Sequence, residues 1–329
     1  MQKQEPKFNL IVTASPHIGV DDHIVRRMWA TFFSLIPAGI VGIYTFGIRA
    51  LYVTLVAILT ALIAEAVVQK FRHKEPSLLD GSAIITGLLL AYNLPPNVPL
   101  WLVVLGSFFA IVIAKHLFGG LGANIFNPAL AARAFLLVSW PKYMTTWQSP
   151  RWQIDAISSA TPLMLFKEKG LHKITEIGVT YKDLFLGNRL GCIGEVCIVA
   201  LLIGAAYLLL KGYITWHVPI TYIFTFGIFS WIFLGKGLFN GDVIFQILSG
   251  GLILGAFFMA TDYVTAPITK KGKVIFGVGC GILTFVIRKW GGYPEGVSYS
   301  ILMMNAATPI IDRFARPKKY GFIKKIKND

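Results

Sequence analysis

Long apolar segments follow one another along almost the whole of this 329-residue chain. A helix that crosses a bilayer needs about 20 mostly apolar residues, and in lipid only helices and closed barrels satisfy their own backbone hydrogen bonds. Charged residues make up 14% of the chain, well below the roughly 25% of soluble domains. The sequence therefore predicts an all-α integral membrane protein with ten transmembrane helices, near residues 28–47, 50–69, 82–94, 98–118, 128–140, 192–211, 215–234, 243–260, 273–290 and 298–312.

Basic residues are distributed unevenly between the predicted loops. The formal net charge of +15 would suit a nucleic-acid partner, but cytoplasmic membrane loops are also rich in lysine and arginine. With the N-terminus inside, most basic residues fall on the cytoplasmic side, Lys115 and the 313–329 tail included. The short outside loops then hold only four, namely Arg49, Lys236, Arg288 and Lys289. This bias predicts a protein of the cell (inner) membrane with both termini cytoplasmic, and it requires no nucleic acid.

The apolar segments divide into two groups of five around a long polar loop. Residues 1–140 would form the first membrane half and residues 191–312 the second. The loop 141–190 would lie outside the cell, where Trp140, Trp147 and Trp152 suit interfacial anchors. A loop of this length is usually functional or disordered. The N-terminal stretch before Asp22 lacks an apolar core, so we expect no cleavable signal peptide.

The two halves show weak internal similarity. "TGLLLAYNLPP" at 86–96 and "GGLILGAFFMATDYVTAP" at 250–267 are both apolar runs that break in polar residues and proline. "NPALAAR" at 127–133 and "NAATPIIDR" at 305–313 both open on asparagine and small residues. Because each half has five segments, the halves would have opposite orientations. This pattern favours two inverted five-helix repeats, whose interrupted helices indicate a site near the membrane midplane.

The segment "HLFGGLGANIFNPALAARAFL", residues 116–136, combines glycines with Asn124 and Asn127. Glycines permit close backbone approach, and amide side chains both donate and accept hydrogen bonds. The segment could therefore hold the polar edge of a flat ring. Residue order alone equally supports a re-entrant turn in which Asn127 caps a helix that begins at Pro128.

Several carboxylates fall within or beside the apolar segments. "MATDYVTAPIT", residues 259–269, places Asp262 among the hydroxyls of Thr261, Thr265 and Thr269, and a carboxylate at membrane depth is costly enough to suggest function. Each such carboxylate could belong to an ion or proton path, or could lie at the membrane–water interface without such a role. The other candidates are Glu65, Asp80, Glu195 and Asp312. The cysteines form no metal-binding spacing, so Cys192, Cys197 and Cys280 are expected to be core thiols.

The outside loop contains "DAISSATPLM", residues 155–164. Thr161 followed by Pro162 is a good helix start, which "LMLFKEK" continues and Gly170 would end. The same geometry is an anion site, because the free N–H groups and the positive end of a helix stabilise a phosphate.

The string from Asp155 to Thr161 resembles the signature Asp-x-x-Ser/Thr-Gly-Ala-Ser/Thr, at which a flavin transferase attaches FMN to threonine through a phosphoester. "GGLGANIFNPALAARA" and "FMATDYVTAPIT" are similar to hallmark segments of the RnfD and NqrB family of membrane flavin subunits, and the short N-terminus is closer to RnfD. Two residues depart from the family pattern: Ser159 replaces glycine in the attachment signature, and Tyr263 replaces proline after "MATD".

The resemblance implies covalent FMN on Thr161 within the motif residues Asp155, Ser158, Ser159 and Ala160. It also implies a noncovalent riboflavin near Asn124 and Asn127, with Asp262 and Thr265 as a flavin or ion site. The chain would relay electrons within the Rnf complex, which couples electron transfer between ferredoxin and NAD to Na⁺ or H⁺ translocation. Its partners would be subunits of the A, B, C, E and G types, the flavin transferase during maturation, and membrane lipid. Ferredoxin and NAD would bind other subunits.

Two other functions remain open from the sequence. Broken helices in inverted repeats also build channels, so the chain could be a small-solute permease of urea-transporter-like fold. It could also be a scaffold that has lost its flavin through Ser159. A permease has no use for the attachment string in its outside loop and would purify colourless.

Overall fold

The structure is a computed structural model that describes residues 24–73, 78–148, 150–151, 161–169, 179–235 and 237–316. Within these ranges every regular element is helical and no strand occurs. Two helices, Ile24–Phe46 and Ile48–Phe71, have the length and apolar composition of a membrane span, and five shorter apolar helices accompany them. The predicted all-helical membrane protein is confirmed at this level, whereas ten spans and their inverted repeat remain predictions.

The first half contains five long helical segments and a short one. A short 3-10 turn, Leu78–Asp80, precedes the third helix, and the fourth continues as the π-helical segment Phe109–His116. The helices are α1 (Ile24–Phe46), α2 (Ile48–Phe71), α3 (Ser82–Tyr92), α4 (Leu100–Phe108), α5 (Pro128–Ser139) and α6 (Pro141–Met144).

After α6, which begins the predicted outside loop, two more short helices of this loop precede the second half. One helix of the second half is interrupted, because α11 ends before Ser249 and α12 begins at Leu252 and continues as the π-helical segment Gly255–Met259. The helices are α7 (Pro162–Lys169), α8 (Tyr181–Leu186), α9 (Ile198–Leu210), α10 (His217–Phe233), α11 (Val243–Leu248), α12 (Leu252–Leu254), α13 (Lys270–Trp290) and α14 (Val297–Phe314).

The sixth membrane helix begins later in the chain than the sequence predicts. This helix, α9, begins at Ile198 and not near Cys192, because residues 193–195 form a turn that is hydrogen-bonded to the end of α3 and the residues after it. Ile193 N–H donates to the Leu94 carbonyl at 3.2 Å, and Gly194 N–H donates to the Tyr92 carbonyl at 3.0 Å. Glu195 therefore precedes a helix and does not lie within one.

Glycines allow the helices of this core to approach closely. A Cβ at Gly204 of α9 would lie 2.0 Å from the Ser34 carbonyl oxygen of α1. A Cβ at Gly277 of α13 would lie 2.0 Å from Thr221 Oγ1 of α10. Small residues at helix contacts are typical of membrane proteins, in which close van der Waals packing replaces the hydrophobic driving force. These contacts hold α1 against α9 and α10 against α13.

Candidate functional site

A cavity lies between the two halves, and three of the residues singled out from the sequence line it. The cavity volume is about 70 Å³. Asn124, Asn127 and Asp262 line it, together with the aromatic rings of Phe257 and Tyr263. Mostly apolar walls with a few convergent polar groups are typical of small-molecule sites.

Asn127 caps α5 and also lines the cavity. Its side-chain oxygen accepts from the N–H groups of Ala129 and Leu130, at 3.1 and 3.3 Å, so the predicted cap before Pro128 is confirmed. Its amide nitrogen donates to the Met259 carbonyl at 3.4 Å. With the Asn305 amide oriented to satisfy its hydrogen bonds, its oxygen accepts from Asn127 N–H at 3.1 Å. The two asparagines that open the similar segments of each half therefore contact each other.

Asn124 carries an unused acceptor beside the cavity. Its amide nitrogen donates to the Phe126 carbonyl at 3.1 Å, while its Oδ1 is buried and has no hydrogen-bond partner among the described residues. A buried polar atom without a partner costs about 1–3 kcal/mol, so such an atom in a cavity wall suits a ligand donor. The N–H of a flavin pyrimidine ring is a donor that would match the Asn124 Oδ1 acceptor.

Asp262 and Tyr263 also line the cavity, and Thr265 lies beside Asp262. Thr265 Oγ1 donates to Asp262 Oδ2 at 3.1 Å, so the pair predicted from the sequence is brought together. Tyr263, where the family pattern has proline, donates from its hydroxyl to the Tyr213 carbonyl at 2.8 Å. The Arg27 guanidinium lies 5.5 Å from the centre of the Tyr263 ring. The departure from proline therefore adds a link between the cavity wall and the segment before α10.

A buried ion pair adjoins the cavity in the first half. Lys115 Nζ lies 2.8 Å from Glu65 Oε2 and donates to Ser82 Oγ at 2.8 Å. His116 Nε2 lies 3.1 Å from Glu65 Oε1. Ser82 Oγ in turn donates to Asp80 Oδ1 at 2.7 Å. Lys115 and Ser82 also line the cavity, so a continuous polar chain connects the cavity with Asp80.

The remaining carboxylates are placed differently. Glu195 is buried, and its Oε1 accepts from Cys192 N–H at 3.0 Å, outside any helix. Asp312 accepts from Ile268 N–H at 3.2 Å at an exposed position. Cys192, Cys197 and Cys280 are all buried free thiols, as expected of core residues. Asp312 thus tethers a loop, whereas Glu195 belongs to a buried polar group.

Two basic residues were wrongly counted with the loops. Lys115, assigned to the inside, is 2% exposed because it pairs with Glu65. Arg288, assigned to an outside loop, is 4% exposed because its guanidinium donates to the carbonyls of Gln246 and Ser249. Both lie near the end of an apolar segment, where sequence position alone does not distinguish a loop cation from a buried one.

Thr161 caps α7 as the sequence predicts. Its Oγ1 accepts from Met164 N–H at 3.2 Å, and its carbonyl accepts from Leu165 N–H at 3.0 Å. Pro162 occupies the first helical position and the helix reaches Lys169. The rest of the attachment motif lies outside the described residues, namely Asp155, Ser158, Ser159 and Ala160.

Helix α7 is attached to the second half of the membrane domain. Lys167 Nζ donates to the carbonyls of Ile287 at 3.3 Å, of Tyr293 at 3.1 Å and of Gly291. Phe166 packs on Phe245 of α11, with their ring centres 5.7 Å apart. Lys167 therefore fixes α7 to the end of α13.

A second link between the halves gives no signal in the sequence. Arg133 of α5 forms an ion pair with Glu295 and donates to Ser298 Oγ at 2.9 Å. It also donates to Asn93 Oδ1 at 3.1 Å. Arg133 and Glu295 are 162 residues apart, and neither belongs to a motif that marks it as paired. Only the tertiary structure brings them together.

The helices and the cavity define a membrane protein with a buried polar site between two halves of its chain. Residues 11–321 match the model of the NQR2, RnfD, RnfE family, and the chain belongs to this family.

Individual relatives are similar over nearly their whole length. The chain is 48% identical to the D subunit of the proton-translocating ferredoxin:NAD(+) oxidoreductase complex of Clostridium ljungdahlii, over 98% of this chain and 99% of the relative. It is 47% identical to the D subunit of the Na(+)-translocating ferredoxin:NAD(+) oxidoreductase complex of Acetobacterium woodii, over 98% of each. The D subunit of the ion-translocating oxidoreductase complex of Aliivibrio salmonicida is 37% identical, over 94% of this chain and 98% of the relative.

Proposed function

We propose that this chain is the membrane flavin subunit of an ion-translocating ferredoxin:NAD⁺ oxidoreductase complex. Similarity over almost the full length to two D subunits of such complexes carries the proposal. The chain would relay electrons within the complex, while other subunits bind ferredoxin and NAD. The relatives reported above are named as oxidoreductase subunits, so they give the permease hypothesis no support.

The proposed covalent cofactor is FMN, bound through a phosphoester to Thr161. A flavin accepts one or two electrons and so links one-electron and two-electron carriers. The capped start of α7 supports this assignment, because its free N–H groups and positive helix end favour a phosphate. A covalent bond also prevents loss of the cofactor outside the cell, where dilution would empty a site of finite affinity.

Intact mass tests the covalent site directly. The denatured chain purified from its own host should exceed the sequence mass by FMN less one water. Thr161→Ala should lose this mass and in-gel flavin fluorescence, whereas the control Thr161→Ser keeps a hydroxyl and should retain both. Ser159→Gly should carry at least as much flavin as the native chain. An unmodified native chain would favour the scaffold hypothesis and refute the assignment.

We further propose that the cavity between the halves binds a noncovalent flavin of the riboflavin type. Its acceptor at Asn124 and its aromatic wall support this. Asn124→Leu should remove the acceptor at nearly constant volume and release flavin into the filtrate of the purified complex. Asn188→Leu, in the segment after α8, is a control amide outside the cavity. Equal flavin content in both variants would exclude the cavity as the site.

The buried polar chain beside the cavity is the proposed part of the ion path that this subunit contributes. Glu65 is favoured over the other carboxylates because it is buried and connects through Lys115 and Ser82 to Asp80. Glu65→Gln should change the Na⁺ or pH dependence of electron transfer in the whole complex. The control Asp312→Asn, at an exposed tether, should not. The two relatives named for different ions are almost equally similar, so identity does not select between Na⁺ and H⁺.

The proposal also includes the membrane topology of the chain. Both termini would be cytoplasmic, and the loop carrying Thr161 would be extracytoplasmic in the inner membrane. The two inverted repeats are supported by the contact between Asn127 and Asn305, which open the matching segments of each half. The other subunits of the complex would surround this chain in the bilayer, and a flavin transferase would act on the loop during maturation.

A further inference from the structure

Five buried or half-buried charged residues gather next to α7, on the side where it meets the second half. We call them the arginine cluster: Arg133, Arg189, Arg288, Glu195 and Glu295. Arg133 pairs with Glu295, and Arg189 donates to the Glu195 carbonyl at 2.7 Å. Three positive and two negative formal charges leave one positive charge without a compensating carboxylate within the cluster.

Two of these arginines satisfy the interrupted helix between α11 and α12. Arg189 donates to the Leu248 carbonyl at 2.5 Å, and Arg288 donates to the carbonyls of Gln246 at 2.6 Å and Ser249 at 3.0 Å. A helix that breaks at membrane depth must have its free carbonyls bonded. This structural role uses the terminal guanidinium nitrogens of both arginines.

Several hydrogen-bonding atoms of the arginine cluster and of the interrupted helix beside it have no partner within the part of the chain that the structure describes. Arg189 Nε, Arg288 Nε, Gln246 Nε2 and Ser249 Oγ are buried and have no partner among the described residues. Three of the four are nitrogen donors, and all four residues are at most 4% exposed. Buried polar groups are nearly always bonded, so a concentration of donors in one place indicates an acceptor-rich ligand.

The arginine cluster lies directly against the helix that Thr161 caps. At Gly250, a Cβ would lie 3.3 Å from Arg288 Nη2, 3.4 Å from Leu163 Cδ2 of α7 and 3.7 Å from Glu295 Cγ. Leu163 is only two residues beyond Thr161. Since Lys167 fixes the other end of α7 to the end of α13, the position of Thr161 relative to Arg288 is set by the fold.

A flavin joined to Thr161 through its phosphate has a ring that the ribityl chain separates from the attachment point. The pyrimidine edge of that ring carries two carbonyl acceptors, and it bears negative charge when the ring has taken up two electrons and one proton. The unused donors of the arginine cluster and the interrupted helix would bind the two carbonyl acceptors. The uncompensated positive charge of the cluster would offset the negative charge of the reduced ring. Placing the ring against the arginine cluster would also shield it from water.

We propose that the arginine cluster seats the ring of the flavin carried on Thr161, with Arg288 as a positioning residue whose charge stabilises the reduced flavin. This inference rests on the proposed covalent flavin. It assigns to this chain the control of that cofactor's reduction potential, through residues of α13 and of the interrupted helix. Arg288 acts on electron affinity and not on the attachment reaction.

The test compares two neighbouring charge removals in the full-length purified chain. Arg288→Gln should keep the added FMN mass, lower the midpoint potential of the covalent flavin and slow its reduction by a water-soluble reductant. The matched control Lys289→Gln removes a charge whose side chain packs on Phe233 and Trp290. It should leave both properties unchanged.

A second variant, expected to shift the midpoint potential in the opposite direction, distinguishes the proposed effect from a loss of structure. Glu295→Gln removes a negative charge from the cluster and should raise the midpoint potential, which a general unfolding effect would not do. An unmodified wild-type chain would refute both the covalent flavin and this inference. A modified chain whose potential is the same in wild type, Arg288→Gln and Glu295→Gln would refute this inference alone.

Discussion

Lys115 Nζ and Glu65 Oε2 lie 2.8 Å apart in a place where both side chains are almost fully buried. The desolvation of two such charges is offset only while both are present, and loss of one partner typically costs about 3–5 kcal/mol. Since Ser82 accepts from Lys115 and His116 Nε2 lies 3.1 Å from Glu65 Oε1, the ion pair is the centre of the polar chain beside the cavity.

Glu65→Ala should therefore lower the thermal unfolding temperature of the detergent-solubilised chain markedly, because it leaves the Lys115 ammonium buried without its carboxylate. The double variant Glu65→Leu with Lys115→Met should recover much of the loss, since it removes both charges and restores apolar volume. Lys70→Met, at an exposed position of α2, serves as the control. A double variant less stable than Glu65→Ala would contradict this account.

Gly204→Ala should destabilise the packing of α1 on α9. The new Cβ would lie 2.0 Å from the Ser34 carbonyl oxygen, so the helices must separate. Overpacking of this kind typically costs about 1–3 kcal/mol. Gly237→Ala is the matched control, because no atom of the described residues lies within 4 Å of its Cβ. Equal unfolding temperatures for the two variants would show that the α1–α9 contact is looser than described.

The backbone amides of helix α8, in the proposed outside loop, should lose protection from hydrogen exchange at acid pH. Thr180 Oγ1 donates to Asp183 Oδ2 at 2.5 Å, and Asp183 N–H returns a bond to Thr180 at 3.2 Å. The Thr180 hydroxyl is the main cause that lowers the pKa of Asp183. A lowered folded-state pKa means that this stabilisation is complete above the ordinary aspartate pKa and is lost as the pH falls through the folded value.

Hydrogen exchange of residues 180–187, corrected for intrinsic rates, should therefore accelerate below the ordinary aspartate pKa. In Asp183→Asn the exchange should already be faster at neutral pH and should show no such acid transition. An acid transition that persists in Asp183→Asn would assign it to another group.

Membrane topology can be mapped with single cysteines. The three native cysteines are buried, so a membrane-impermeant maleimide should react poorly with intact cells of the parent chain. Leu186→Cys, in the proposed outside loop, should label, whereas Ile268→Cys, in a proposed cytoplasmic segment, should label only after permeabilisation. Both side chains are exposed, so the difference reports the side of the membrane. The reverse pattern would invert the proposed orientation.

Local signals explain what could be predicted from the sequence. Asn127 before Pro128 and Thr161 before Pro162 both cap helices, because a cap depends on residues three positions apart at most. The apolar segments likewise carry their own length and composition. The motifs singled out Asn124, Asn127 and Asp262 one by one, but the sequence did not predict that all three line one cavity.

Long-range contacts explain what could not be predicted. Lys115 and Arg288 were assigned to loops because the sequence does not show that Glu65 or the carbonyls of an interrupted helix lie opposite them. The late start of α9 has the same origin, since Gly194 bonds to Tyr92 from the other half. Each of these depends on partners tens of residues away or more.

The contacts between the halves have a mechanical consequence. Asn127 bonds to Asn305, Arg133 to Glu295 and Gly194 to Tyr92, so the two halves are joined at several separate points. A transporter that rocks its halves about a central site would have to break these links in every cycle. These contacts instead suit a fixed frame, which would hold the proposed cofactors at constant spacing and leave ion gating to side chains and to neighbouring subunits.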